Sequence, residues 1–304
     1  MPATHLQSRS PGQRAVLGHA ISTLLDCGAP EKEHGVTNRG LRTTALSTLS
    51  MLLDCLPDAG ALAAFLPGVS SAAMRIMLGD YKQGQAIFVL AITLWTAVVS
   101  RVMNDRRLAS AACADVGPDP GADGGGGDDD GRSLSVAQDA EWKTTTAGNL
   151  KAHLDKLTGV VNHSSWKVRL EYVGLAAALM RRCSRTLLFS IPVLIELLVE
   201  LSNDEYDAVA SAAKLALGSY SAINAAATTV GPEAAENDLV LLCRENVLSL
   251  LLSLPRVIRG ESDDDIFRSL NLLAGYLSIL GPETKKLLAS ARNTKRFSTF
   301  LARG

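Results

Sequence analysis

Apolar residues recur along this chain at spacings of three and four, and that period most restricts what it can fold into. In "EWKTTTAGNLKAHLDKLTGVVNH" (141–163), Leu150, Leu154, Leu157 and Val161 form one stripe down the side of a helix. Nowhere do β-branched residues alternate with polar ones over a sustained run, as a half-buried strand requires. Hydrophobic residues fill 47% of the 304 positions, mostly as Leu and Ala, and aromatics only 5%. Leu and Ala favour helices, whereas strands favour β-branched and aromatic residues, so the chain is expected to be all-α.

The second half reads as helix after helix. "WKVRLEYVGLAAALMRRC" (166–183) places Leu170, Val173, Ala177 and Met180 on one face, with Ser165 as the N-cap. "RTLLFSIPVLIELLVELS" (185–202) is apolar nearly all round, which implies burial on two sides; Pro192 should kink it or mark a late start. "NDEYDAVASAAKLALGSYSAI" (203–223) opens on capping residues, and "DLVLLCRENVLSLLLSLPRVI" (238–258) should end or kink at Pro255. "SDDDIFRSLNLLAGYLSIL" (262–280) starts with Ser262 as a cap and an acidic first turn, which suits the positive helix end. "GPE" at 231–233 and again at 281–283 marks further helix starts.

"SSWKVRLEYVGLA" and "NDEYDAVASAAKLA" occupy equivalent points about 40 residues apart, the period of a HEAT or armadillo unit. A single unit cannot bury its own apolar face, but stacked units can. The expected fold is an α-solenoid of HEAT/armadillo-like repeats. The first half fits the same plan, with helices at 14–27, 39–56, 59–78 (interrupted at Pro67-Gly68) and 81–103, the last being the most apolar. Between the halves, "DVGPDPGADGGGGDDDGRSLS" (115–135) has too little apolar surface to offset the entropy of ordering, and is expected to be a disordered acidic Gly/Asp-rich loop. The organisation is therefore a disordered N-terminus (1–13), a repeat segment (14–110), a disordered insertion (111–139) and a second repeat segment (140–304), together one continuous solenoid.

Composition narrows the function. A net charge of −1 lacks the basic footprint of a nucleic-acid binder, and the basic last helix (Lys285, Lys286, Arg292, Lys295, Arg296, Arg303) is read as a solvated face. Five widely spaced cysteines without a Cys-x-x-Cys suit a reducing compartment, with most thiols as small core residues. The polar N-terminus lacks a signal-peptide core, and the longest apolar run (86–99) is short of the roughly 20 residues a bilayer needs. A cytosolic or nuclear protein with neither nucleic acid nor membrane as partner is expected.

Chemistry is sparse. His5, His19, His34, His153 and His163 form no zinc spacing, and His153 and His163 are read as a surface and a helix-end histidine at opposite ends of one helix. No nucleophile elbow occurs. "GDYKQGQ" (79–85) has two glycines five apart, but Gln85 stands where a phosphate loop needs Lys, and the stretch joins helix to helix. Gly79 and Gly84 are better read as a helix C-cap and a turn or close-packing position, and Asp80, Tyr81 and Lys82 as interaction or turn residues. Trp166 and Arg169 are candidates for tying stacked repeats together. Asp263, Asp264 and Asp265 are read as helix-start residues rather than a metal trio. Ser133, Ser135 and Ser262 are phosphorylation candidates. No catalytic, cofactor or metal residue is assigned.

"FLPGVSSAAMRIMLGDYKQGQ" (65–85), followed by "SSWKVRLEYVGLAAALMRRCSRTL" (164–187) and joined by Trp142 of "EWKTTTAGNL", resembles the Tel-two-interacting protein one family over roughly residues 40–220. That resemblance implies a HEAT-repeat subunit of the TTT cochaperone complex, and a chain shorter than family members usually are. It implies the Tel-two protein and the second Tel-two-interacting protein as partners, and a role with the Hsp90 machinery in maturing PI3K-related kinases for growth signalling and the DNA-damage response. It carries no catalytic residue. The alternatives are a generic helical-repeat adaptor, in transport or trafficking for instance, and an enzyme, which the missing nucleophile–base motif disfavours.

Overall fold

Every regular element among the described residues is a helix, as the three-and-four spacing demands. The computed structural model describes residues 11–29, 38–56, 59–114, 136–158, 163–228, 238–260, 262–281, 284–285 and 287. The chain divides into two compact units, Met1–Phe189 and Ser190–Gly304.

The first unit contains α1 (Pro11–Gly28), α2 (Arg39–Asp54), α3 (Ala59–Met77), a 3-10 turn (Tyr81–Gln83), α4 (Gln85–Val102), α5 (Asp105–Ala114), α6 (Ala140–Leu157) and α7 (Trp166–Arg182). Its core is built round α4, which packs against α2, α3 and α7. Ile87, Phe88, Ala91, Ile92, Leu94, Trp95, Val98, Val99 and Val102 of α4 are all buried. Leu46, Leu49 and Leu53 of α2, and Leu62, Leu66, Val69 and Ile76 of α3, are buried as well. The one polar atom of Trp95 is satisfied inside, its Nε1 donating to Ser70 Oγ at 3.0 Å, so a large aromatic is buried without orphaning its N–H.

Polar side chains fasten the helix ends. Asn38 caps α2 by accepting from the N–H groups of Gly40 and Leu41, and Asp139 caps α6 by accepting from Trp142 N at 2.7 Å. Arg101 of α4 donates to the carbonyls of Leu53 and Leu56 at the end of α2. Asp105, at the start of α5, accepts from Ser184 Oγ, Arg185 N, Thr186 N and Thr186 Oγ1, and so holds the turn after α7.

The second unit contains α8 (Ile191–Leu201), α9 (Asp207–Thr228), α10 (Asp238–Gly260) and α11 (Asp263–Leu280). α8 is its centre, packing against α9 and α11 while α10 lies on α11 and α9. Ile191, Leu194, Ile195, Leu197, Leu198, Val199 and Leu201 are buried, as expected of a helix apolar nearly all round. Glycine lets α11 approach α8 closely: a Cβ added at Gly275 would run into Val199 Cγ1 and lie 3.2 Å from its Cβ.

Several boundaries differ from the sequence reading, each for a local reason. Residues 11–13 belong to α1 rather than to a disordered N-terminus, with Pro11 at the first helical position, where its missing N–H is no loss. α3 runs unbroken through Pro67-Gly68, because both lie on its exposed side while Leu62, Ala63, Leu66 and Val69 keep the buried face continuous. α10 likewise continues past Pro255 to Gly260, between buried Leu254 and Val257. The 185–202 helix starts only at Ile191, with Pro192 in its first turn. α4 starts at Gln85, not 81, because Gly84 breaks the helix before it. On α7 the buried stripe is Val168, Tyr172, Leu175 and Leu179, joined by Val173 and Met180, while Leu170 and Ala177 are only half-buried. Gly281 ends α11 with φ 48, and residues 284, 285 and 287 after it are helical, as the second "GPE" implies; the "GPE" at 231–233 lies outside the described residues.

The expected 111–139 insertion is too wide, since 111–114 belong to α5 and Asp139 caps α6; the rest of the expected disorder, 1–10 and 115–135, lies outside the described residues, as do Ser133 and Ser135. By length and composition α3 and the 85–110 stretch are each long and apolar enough to cross a membrane, which corrects the estimate from the 86–99 run alone; most of each is buried inside the fold, as in core helices.

Two substitutions test this packing. Leu49→Ala empties a fully buried site and should cost about 2–5 kcal/mol in urea unfolding. Gly275→Ala forces a methyl against Val199 and should destabilise the second unit by about 1–3 kcal/mol, read from its thermal transition.

Candidate functional site

The "GDYKQGQ" stretch turns the chain from α3 into α4, and its two glycines do different work. α3 tightens as it ends, with Leu78 N donating to Met74 O and Gly79 N to Ile76 O at 3.1 Å. A Cβ on Gly79 would lie 2.7 Å from Arg75 O and collide with Gln83 Nε2, so this is a close-approach position. Asp80 folds the next step, its Oδ1 accepting from Lys82 N at 2.9 Å while its carbonyl accepts from Gln83 N at 3.1 Å. Tyr81, Lys82 and Gln83 then form the 3-10 turn. Gly84 takes φ 97, ψ 138 as the N-cap of α4, a conformation that L side chains avoid.

Arginines from the neighbouring helices hold this turn. Arg39 Nη2 donates to Lys82 O at 2.5 Å, and Arg42 Nη2 donates to Gln83 Oε1 at 2.6 Å. Arg42 Nε reaches Gly28 O at 3.0 Å, and Arg75 Nη2 reaches Ala29 O at 2.7 Å, tying in the end of α1. Burial pulls the Arg42 guanidinium below its ordinary pKa, but arginine stays charged at neutral pH.

Between this turn, α3 and α6 lies a groove of about 1200 Å³. Leu66, Met74 and Leu150 form apolar floor, and Trp142, His153 and Lys156 of α6 form the far wall. Among the described residues its lining carries five cations (Arg39, Arg42, Arg75, Lys82 and Lys156) against one carboxylate, Asp80, which already serves the turn. That volume lies just above the range of about 300–1,000 Å³ usual for small-molecule sites.

His153 is half-buried rather than a surface residue, and burial first, then the nearby Lys156, lowers its pKa. Its Nδ1 is buried without a hydrogen-bond partner. His163 lies just before α7, not at the end of the preceding helix as expected, and is 3% exposed. Its ring meets Phe88 edge-on at 4.8 Å, and its Nδ1 accepts from Ser165 N at 3.0 Å. Burial lowers its pKa, with Arg169 adding to the effect. Arg169 is buried, and its Nη1 donates to His163 O at 2.7 Å and Ser164 O at 3.4 Å, bracing the loop before α7. Trp166 opens α7, with Lys167 Nζ 5.8 Å from its ring centroid. Ser165 occupies the N-cap position, but its hydroxyl donates to Gln85 Oε1 at 2.8 Å instead of capping its own helix, which links the starts of α7 and α4.

The remaining candidates are scattered. Ser262 is exposed and caps α11, its Oγ accepting from Asp265 N and donating to Asp265 Oδ2 at 2.6 Å. Cys183 and Cys243 are buried, and burial pushes both thiols up to about 12, with Asp105 adding to the effect on Cys183. Cys55 is exposed and Cys27 half-buried, so only part of the thiol set is core. Among the described residues no group of three His, Cys, Asp or Glu could hold a metal ion.

Two family models match the chain. One, described as the TTI1 N-terminal TPR domain, covers residues 3–205; the other, the TELO2-interacting protein 1 homologue second TPR domain, covers 243–303. The chain belongs to the TELO2-interacting protein 1 family. It is 31% identical over 301 residues to the TELO2-interacting protein 1 homologs of Mus musculus and of Homo sapiens, covering 94% of this chain and 26% of each relative. The chain thus spans about a quarter of the relatives it matches. No solved structure matches. The family models describe the repeats as TPR where the sequence reading expected HEAT or armadillo units; both descriptions are of stacked helical repeats. The turn at 79–85 and the start of α7 lie in the first matched domain.

The turn is legible in the sequence, but the groove is not. Arg39 and Arg42 were legible as cations three apart at a helix start, but Arg75, Trp142 and Lys156 are far apart in the chain and only the fold brings them together.

Gly84→Ala should cost about 1–3 kcal/mol of stability in thermal melts, because φ 97 is closed to a side chain. The two histidines set an acid limit. Both pKa values are lowered from 6.5 in the folded state, so the unfolded chain binds protons more readily. Their contribution is present above 6.5 and lost as the pH falls below it. The melting temperature should drop between about pH 7.5 and about pH 5.5, and H153Q/H163Q should flatten that slope.

Proposed function

We propose that the chain is a non-catalytic scaffold segment of the TTT cochaperone complex. In this reading it binds the Tel-two protein and the second Tel-two-interacting protein. Through that complex it supports Hsp90-dependent maturation and stability of PI3K-related kinases, in the cytoplasm and also in the nucleus. The observation that carries the reading is the family match along 94% of the chain to proteins named for interaction with TELO2.

The mechanism is surface recognition. Stacked helices offer rigid faces, and binding energy concentrates in a few anchors on such faces. The groove beside the 79–85 turn is one such face, with exposed Asp80 and Lys82 among its lining residues.

The test is affinity purification of the tagged chain from its own cells, with partners identified by mass spectrometry. Recovery of the Tel-two protein, the second interactor and PI3K-related kinases is the expected result. A soluble, folded chain that recovers other proteins and none of these would replace the reading with that of a generic helical-repeat adaptor.

A further inference from the structure

We propose that the groove between the 79–85 turn and α6 is a docking site for an acidic peptide segment of a partner protein, held by Arg39, Lys82 and Lys156 with Trp142 as its apolar anchor. The inference rests on the scaffold reading above and names the chemistry of what that scaffold takes at this place.

Charge complementarity carries it. The whole chain is nearly neutral, with 30 basic and 31 acidic residues, yet the described residues that line the groove include five cations and one carboxylate. The carboxylate, Asp80, accepts the Lys82 N–H within the turn, so it folds backbone as well as facing the cations. The concentration is therefore local and set by the fold: α2 brings Arg39 and Arg42, α3 brings Arg75, the turn brings Lys82 and α6 brings Lys156.

The cations are also pre-positioned. Arg39 and Arg42 are fixed by donation to Lys82 O and to Gln83 Oε1 and Gly28 O, so less side-chain entropy is lost when an anion arrives. Lys82 and Lys156 are exposed, free to meet a carboxylate at the rim. Half-buried Trp142 and the apolar side chains beneath give such a segment a surface for an aliphatic or aromatic residue between its carboxylates. A nucleic acid fits less well. It needs a broad basic face tracking a phosphate backbone, whereas here the positive charge is confined to one groove with an apolar floor.

The test uses the full chain and a fluorescein-labelled synthetic peptide of Glu and Asp with interspersed Leu, beside its Gln/Asn copy and a labelled single-stranded RNA. Fluorescence anisotropy should show the acidic peptide binding, the amide copy binding on the order of tenfold more weakly, and the interaction fading as salt is raised. K82E/K156E should weaken binding by at least that factor with an unchanged melting temperature, since both side chains are exposed; W142A should weaken it at unchanged salt dependence.

Three results would overturn the proposal. One is equal binding of the acidic peptide and its amide copy. Another is RNA binding at least as tight as peptide binding. The third is peptide binding that emerges only when Asp119, Asp123, Asp128, Asp129 and Asp130 are changed to Asn, which would make the chain's own acidic stretch the occupant. Because purified chain and synthetic peptide suffice, failure here leaves the recovery of TTT partners from cells undisturbed. Conversely, peptide binding without those partners would refute the scaffold assignment alone.

Discussion

α4 has apolar residues round most of its circumference, and the first unit exists to cover them. A helix with one apolar stripe needs one neighbour; this one needs several. α2, α3 and α7 supply them, and the arrangement of all three follows from that demand. Full burial of Phe88 and Trp95 would leave an indole N–H stranded, and Ser70 on α3 removes that cost. Once α4 is enclosed, its two ends become fixed points. The Gln85 end receives the Ser165 hydroxyl, and Arg101 near the other end clasps the carbonyls that close α2.

The same constraint produces the turn beside the groove. α3 and α4 pack along each other, so the chain must reverse in a few residues between Met77 and Gln85. Gly79 allows the backbone to pass close to Arg75 O, and Gly84 gives the positive φ that redirects the chain into α4. Arginines on α2 then donate to carbonyls and to an amide oxygen. Such bonds hold geometry while leaving the local charge positive, which is why a structural clasp and a basic groove coincide here.

The helices were legible in the sequence because three-and-four spacing survives any tertiary arrangement. Leu150, Leu154 and Leu157 are buried together as their spacing implies. What the spacing could not resolve was which of two adjacent stripes faces inward when both are apolar, as on α7, where Leu170 lost to Tyr172 and Val168. Nor could it weigh a proline against the burial around it: Pro67 and Pro255 break a helix in isolation but not one whose flanking leucines and valines are buried. The glycine turn was readable because "GDYKQG" carries its own backbone chemistry. The groove was not, because its cations and Trp142 share no period and meet only through packing.

Asp105 shapes how this chain can vary. Its carboxylate gathers four donors from Ser184, Arg185 and Thr186, about eighty positions along, and so fastens the start of α5 to the turn after α7. Asp139 caps α6 on the other side of the acidic stretch. The sequence from 115 to 135 therefore joins helices whose starts are secured independently of it. Closing a longer connection between such fixed ends costs only about 0.6 kcal/mol for each doubling of length. An epitope or a fluorescent reporter inserted into the α5–α6 connection should therefore leave the starts of both helices in place.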